Sequence, residues 1–177
     1  MKLHLGCGNV YIQDWVNVDI ANEKADREED ATVLQTIDDN SCDIIYACHV
    51  LEHIGRKECI PALELWKQKL KVGGTLRLSV PDISKIVEVY DGTNLDIFLG
   101  LLYGGQIDEY DYHKVGFDEP LLRSVLRQVG FKDVKRWNWR EVDHGSYDDY
   151  SQAYLPHMDK ENGTLMSLNI EAVKSTL

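Results

Sequence analysis

The chain has 177 residues, a length that fits one domain with a single core. Hydrophobic residues make up 44% and charged residues 28%, a globular rather than disordered balance. A net charge of −11 without any lysine or arginine cluster counts against naked nucleic acid as a natural partner, because such binding needs a cationic surface. No apolar run reaches the ~20 residues of a membrane span, and the opening MKLHLGCGN lacks the apolar stretch of a signal peptide. The expectation is a cytoplasmic protein with no membrane partner.

Residues 2–7 read as a short strand that ends in Gly-Cys-Gly, and 15–20 as a second strand. The stretch 21–33 is too polar to assign beyond a short edge strand. DIIYAC at 43–48 is apolar almost throughout, as a strand buried inside a parallel sheet must be. Residues 57–71 carry the stripe Ile60, Leu63, Trp66 and Leu70, which predicts an amphipathic helix ended by Gly73-Gly74. Residues 75–80 form the next strand, and helical pieces fill 83–103. Asp118 caps a helix that has Pro120 in its first turn and stops at Gly130. The last strands are 131–139 and 165–173. This order predicts an α/β fold: a Rossmann-like, open, mostly parallel sheet of about seven strands with helices on both faces and an antiparallel last strand. Ligands of such sheets lie beyond the carboxyl ends of the strands, at the switch in strand order. The positions to inspect are 6–9, Asp19, His49 and Pro81-Asp82.

Gly6 and Gly8 bracket Cys7 directly after the first strand, and a turn this tight needs positive φ or a bare backbone. A dinucleotide fingerprint would want glycine or alanine where Tyr11 stands, and an acid ~20 residues beyond a full helix. Here Asp19 comes after only seven connecting residues, 9–15, too few for a helix that must retrace ~17 Å of strand at ~1.5 Å per residue. That counts against a nicotinamide site. Asp19 either accepts from both hydroxyls of a ribose or merely starts the turn into Ala21-Asn22.

His49, Glu52 and His53 match H-x-x-E-H, a pattern of certain zinc peptidases. Such a site needs both histidines on one helical face and a third ligand. His49 follows a buried strand and no third ligand suggests itself, so no metal is expected. His49 and His113 are the candidate proton acceptors, set against the plainer reading that each only hydrogen-bonds a neighbouring loop. His4 is structural. The four cysteines, Cys7, Cys42, Cys48 and Cys59, show no metal or disulfide spacing. Tyr103, Tyr110, Tyr112, Tyr147, Tyr150 and Tyr154 either line a small-molecule pocket or cap the core.

Four stretches taken together carry a resemblance: LHLGCGN with WVNVDI, DDNSCDIIYACHVLEHI, LKVGGTLRLSVPD, and HKVGFDEPLLRSVLRQVGF. The sequence resembles the class I S-adenosylmethionine-dependent methyltransferases, and more narrowly a compact group associated with polysaccharide and glycosyl metabolism. The resemblance implies S-adenosylmethionine as cofactor and an oxygen or nitrogen of a small molecule, such as a sugar or glycan precursor, as acceptor. It sets the methionine part against Gly6, Cys7 and Gly8, the ribose on Asp19, the adenine beside Ile20, the adenine amine near Asp30 and Ala31, and His49 on the opposite wall. The chain departs from the family in lacking the loop's third glycine and the helices that in many relatives precede the first strand. Any lid must come from 83–117, from 140–163 or from the second subunit of a homodimer. A module that binds the cofactor without turnover is the alternative.

Overall fold

The computed structural model describes residues 1–176. In chain order the strands are β1 (Lys2–Leu5), β2 (Val16–Asp19), β3 (Arg27–Glu28) and β4 (Cys42–Cys48), then helix α1 (Cys59–Lys69) and strand β5 (Leu70–Pro81). Helices α2 (Ile83–Val89), α3 (Leu99–Tyr103) and α4 (Glu119–Gln128) follow. The chain closes with β6 (Phe131–Arg136), the short strands β7 (Tyr154–Leu155) and β8 (Thr164–Leu165), and β9 (Ser167–Lys174). Seven strands form one sheet in the order β3-β2-β1-β4-β5-β9-β6, while β7 and β8 pair separately. β1 to β5 run parallel, and β9 runs antiparallel to both β5 and β6. The order reverses between β1 and β4, so the loops after these two strands face the same cleft.

Period-2 alternation divides the sheet into two unlike faces. On one face the rows Leu3–Ile45–Leu76–Ala172 and Leu5–Ala47–Leu78–Ile170 run across four strands in register. They join Leu63 and Trp66 of α1 with Leu122 and Leu126 of α4 in the main core. On the other face the register aligns Asn17, His4, Tyr46, Arg77 and Glu171 across five strands. Single 3-10 turns, Trp139–Glu141 and Tyr150–Gln152, lie in the segment that covers this second face, where Trp137, Trp139, Val142 and Tyr147 pack with Ile12 and Trp15.

The ends of the elements follow local chemistry. The carboxylate of Asp118 accepts from Leu121 N–H at 2.8 Å to cap α4, and Gly130 at φ 89° ends the turn after it. α1 stops at Lys69, earlier than the glycine pair suggested, because Leu70 already turns extended and pairs with Cys42. Gly73-Gly74 instead lies in an irregular start of β5, where the register shifts before Thr75 meets Ile44. β1 ends at Leu5 because Gly6 has φ 59°. The edge strand within 21–33 is the two-residue β3, and the pieces of 83–103 are α2, a 3-10 turn at Leu95–Phe98 and α3. These last pieces pack Ile86 and Phe98 against Met166, beside the entry to β9. Among the described residues no helix is long and apolar enough to cross a membrane.

Candidate functional site

The turn after β1 is shaped for close approach. Gly6 and Gly8 both have positive φ, 59° and 49°, which side-chained residues rarely adopt. A Cβ on Gly6 would also collide with the Val50 side chain. A Cβ on Gly8 would meet nothing within 4 Å, so the backbone there borders open space. Cys7 between them is buried, and burial together with the Asp19 charge pushes its thiol up to about 11. A thiol so raised is not a nucleophile at neutral pH.

Asp19 ends β2 and reaches back to this turn. One carboxylate oxygen accepts Gly8 N–H at 2.8 Å and the other accepts Ala21 N–H at 2.9 Å. Each oxygen has more than one acceptor direction, so two are left for a diol. Asn22 donates its amide to the Gly8 carbonyl and ties the two loops together. The Asp19 carbonyl accepts Glu29 N–H at 2.9 Å, which carries 29–31 alongside Asp19 and Ile20 at the same end of the sheet. Asp30 there accepts from Thr32 N–H and hydroxyl at 2.7 and 2.8 Å, and the Ala31 carbonyl accepts Trp66 Nε1–H at 2.8 Å. Gly6, Gly8, Asp19, Ile20, Asp30 and Ala31 therefore border one cleft edge, formed by the ends of β1, β2 and β3.

The short connection 9–15 is fixed by Asn17, a residue that strand alternation alone does not mark. Its buried side chain accepts Ile12 N–H at 3.0 Å and donates to the carbonyls of Ile12 and Trp15 at 3.0 and 3.2 Å. The Asn17 N–H donates to Asp26 at 2.8 Å, and Tyr11 donates its hydroxyl to the same carboxylate at 2.7 Å. One asparagine thus does the work of a helix in returning the chain from the glycine turn to β2.

His49 follows β4 at φ 53°, an uncommon conformation outside glycine. Ser167 donates its hydroxyl to the Tyr150 carbonyl at 2.5 Å, so the Nε2–H of His49, 3.1 Å away, donates to the serine oxygen. His49 Nδ1 stands 3.2 Å from a carboxylate oxygen of Glu52, without the alignment of a hydrogen bond. Both ring nitrogens are directed inward, and the ring lies 5.3 Å from that of Tyr150. Burial drives His49 down and the fully buried Glu52 up, so the pair is neutral. His53 and His113 contact each other edge to face at 4.7 Å. Glu52 also accepts Lys114 and Val115 N–H on its backbone carbonyl, at 2.7 and 3.2 Å, which brings 104–117 over the 49–53 turn.

His49 and His113 thus both border the region after β4, but through different partners. The tyrosines part company: Tyr150 flanks His49, the Tyr147 hydroxyl accepts Gln13 N–H at 3.0 Å, and the buried Tyr154 hydrogen-bonds Trp139 and Arg140. Tyr103, Tyr110 and Tyr112 are exposed. His4 is buried against Asn17 and Tyr46, in a structural place. The four cysteines are free and buried.

Residues 3–78 match the sequence profile of a family described as "Methyltransferase domain". No curated protein sequence matches the chain. Among solved structures, a SAM dependent methyltransferase from Archaeoglobus fulgidus aligns with a TM-score of 0.61 at 19% identity, over 98% of this chain and 85% of that one. The 1,6-didemethyltoxoflavin-N1-methyltransferase of Burkholderia thailandensis, solved with S-adenosylhomocysteine, aligns at 0.59 and 16% identity, over 99% and 71%. Human N-acetylserotonin methyltransferase, solved with SAM, gives 0.59 and 16% over 99% of this chain, which spans 47% of that enzyme.

Proposed function

We propose that the chain is a class I S-adenosylmethionine-dependent methyltransferase that transfers the cofactor's methyl group to an oxygen or nitrogen of a small acceptor, with a sugar or glycan precursor as the first class to try. The observation that carries this reading is the Asp19 carboxylate, held on two backbone amides beside a glycine turn that borders open space. That arrangement supports a cofactor with a vicinal diol: the carboxylate receives the ribose hydroxyls, and Gly6, Cys7 and Gly8 lie along the methionine part. Ile20 offers an apolar edge to the adenine, Asp30 and Ala31 stand near its amine, and His49 closes the opposite side.

The cofactor supplies a sulfonium-activated methyl and leaves as a neutral thioether. The residues need only hold the acceptor in line and exclude water. An amine acceptor needs no strong base, whereas a hydroxyl must shed its proton, for which His49 and His113 are the candidates. His113 is the better placed of the two. Its Nδ1–H donates to the Leu101 carbonyl at 3.0 Å, which leaves the Nε2 lone pair free. The segment 83–117, which runs from α2 to the start of α4, is the proposed lid.

Calorimetric titration of S-adenosylmethionine, S-adenosylhomocysteine and NAD into wild type and Asp19→Ala tests the reading. Two charge-assisted hydrogen bonds are worth about 1.5–3 kcal/mol each, so the variant is expected to bind the first two ligands at least about tenfold more weakly. Tight NAD binding, or no binding of S-adenosylmethionine by folded wild type, would overturn it. Methylated product from a panel of amines, alcohols and sugars would separate an enzyme from a module that only holds the cofactor.

A further inference from the structure

We infer that Glu52, His53 and His113 form a binding site for a divalent first-row transition-metal ion, held by one carboxylate and two imidazoles beside the end of β4. Each of the three offers a ligand atom, and these atoms lie within 4.8 Å of one another. The two imidazoles present suitable tautomers, whereas the neutral Glu52 must release its proton as the ion binds. His113 gives its Nδ1 proton to the Leu101 carbonyl, so its Nε2 carries a free lone pair. Metal-bound histidines commonly donate their other N–H in this way, which fixes the tautomer. His53 Nδ1 is buried and has no hydrogen-bond partner among the described residues. The same holds for both carboxylate oxygens of Glu52, a residue with 0% exposure.

Three buried polar atoms of the Leu51–His53 turn lack a partner among the described residues, and His113 approaches them from a second segment, a convergence that needs an explanation. A bound cation satisfies all of them at once. Against the Glu52 carboxyl stands His49 Nδ1, 3.2 Å away without the alignment of a hydrogen bond.

Two nitrogens and one oxygen suit zinc, cobalt, manganese or iron better than calcium or magnesium, which prefer all-oxygen sets. Bonds of ~2.1 Å would bring the ligand atoms to about 3.4 Å apart, so the site must draw in by roughly 1 Å. His113 can supply this movement, since it stands between α3 and α4 on a stretch without regular structure. Three protein ligands leave at least one position for water or a ligand hydroxyl. On the methyl-transfer reading that position would hold an acceptor hydroxyl in place, with His113 then a ligand rather than the proton acceptor; this last step alone rests on that reading.

The H-x-x-E-H pattern is thus used differently from the peptidase arrangement. His49 stays outside, the Leu51–His53 turn is 3-10 rather than α-helical, and the third ligand comes from 104–117.

The test uses the tag-free full chain, stripped of metal and titrated with Co2+, followed by visible absorption and by thermal midpoint. One equivalent should bind, with the d–d bands of a nitrogen- and oxygen-ligated ion, should raise the midpoint, and should be displaced by Zn2+. Glu52→Gln and His113→Ala should lose the bands, while His157→Ala, at an exposed histidine, should keep them. Circular dichroism verifies that each variant is folded, with His53→Asn as the replacement for one that is not. Absence of one-to-one binding by folded wild type would overturn the proposal, as would bands that persist in folded Glu52→Gln and His113→Ala. Binding of S-adenosylmethionine by the stripped protein, measured separately, keeps failure of this site distinct from failure of the cofactor site.

Discussion

The two faces of the sheet are built on opposite principles. Under α1 and α4 the strands present leucine, isoleucine, valine and alanine, and the helices answer with Leu63, Trp66, Leu122 and Leu126. Shape and volume hold this side together. The other face presents Asn17, His4, Tyr46, Arg77, Ser79, Asn169 and Glu171, covered by turns and extended chain. Such a cover leaves many backbone groups that no helix satisfies, and side chains must do so instead. Asn17 serves 9–15, Asn169 donates to the Ser151 carbonyl at 2.9 Å, and Gln152 donates to the carbonyls of Gly145 and Tyr147 at 3.1 and 2.7 Å. A face that carries few helices can therefore stay closed, but only with a hydrogen-bonded polar core.

The largest effect is expected on the apolar face. Trp66 is fully buried, fills the space between α1 and the sheet, and holds Ala31 through its indole N–H. Trp66→Ala should cost about 3–5 kcal/mol in chemical denaturation, with little dependence on pH. A loss below about 1 kcal/mol would show that this face is not packed as described. Since Ala31 lies beside the proposed adenine site, surviving folded protein should also bind the cofactor more weakly.

The polar face should reveal itself through protons. His144 is buried between Tyr46 and Trp137, and its Nε2 accepts from Arg77 at 3.2 Å. Burial first, and then the Arg77 charge, lower it from 6.5 to about 3. In the unfolded chain it takes up a proton near pH 6.5, whereas the folded protein resists until about pH 3. Between those values the unfolded state binds more protons, so stability is full above pH 6.5 and falls as the solution is acidified. His144→Gln keeps an acceptor for Arg77 but does not titrate. The stability lost between pH 7 and pH 4 should shrink by on the order of 2 kcal/mol in this variant. An unchanged acid limb would assign the effect to other groups, among them His4, which burial also lowers.

The difference between the faces also explains what could be read from the sequence. The apolar face follows from periodicity: Leu3, Leu5, Ile45, Leu76 and Leu78 alternate, and α4 carries its cap and its stop. The succession of strands and helices along the chain and the glycine turn before Asp19 were legible for the same reason, since local patterns encode them; the order of strands in the sheet came from the structure. The polar face was not. Ser167 meets His49 from far along the chain, and although Asn17 works through the nearby Ile12, Trp15 and Asp26, no spacing rule marks an asparagine that replaces a helix. The juxtaposition of His113 with Glu52 and His53 has the same origin: it depends on how 104–117 crosses the 49–53 turn. Among the local misreadings, Gly73-Gly74 as the end of α1 arose because glycines that serve a bulge look like glycines that end a helix, and the strand expected over 131–139 stops at Arg136, short of the 3-10 turn at Trp139–Glu141.

The smallest effect tests whether the faces are energetically separate. Asp118 caps α4 on the apolar side and touches neither the polar row nor the cleft edge at Asp19. Asp118→Ala removes the acceptor for Leu121 N–H at the helix start, which typically costs about 1 kcal/mol. Denaturation should show this loss with an unaltered acid limb and unaltered cofactor affinity, because sites without shared partners add. Coupling would appear as a larger cost in an Asp118→Ala/His144→Gln double variant than the two single changes sum to. The sheet between the faces is one side chain thick in each direction, so such a surplus would mean that strand positions adjust as a body. If none appears, the apolar face sets the stability while the polar face can vary with the loops it holds.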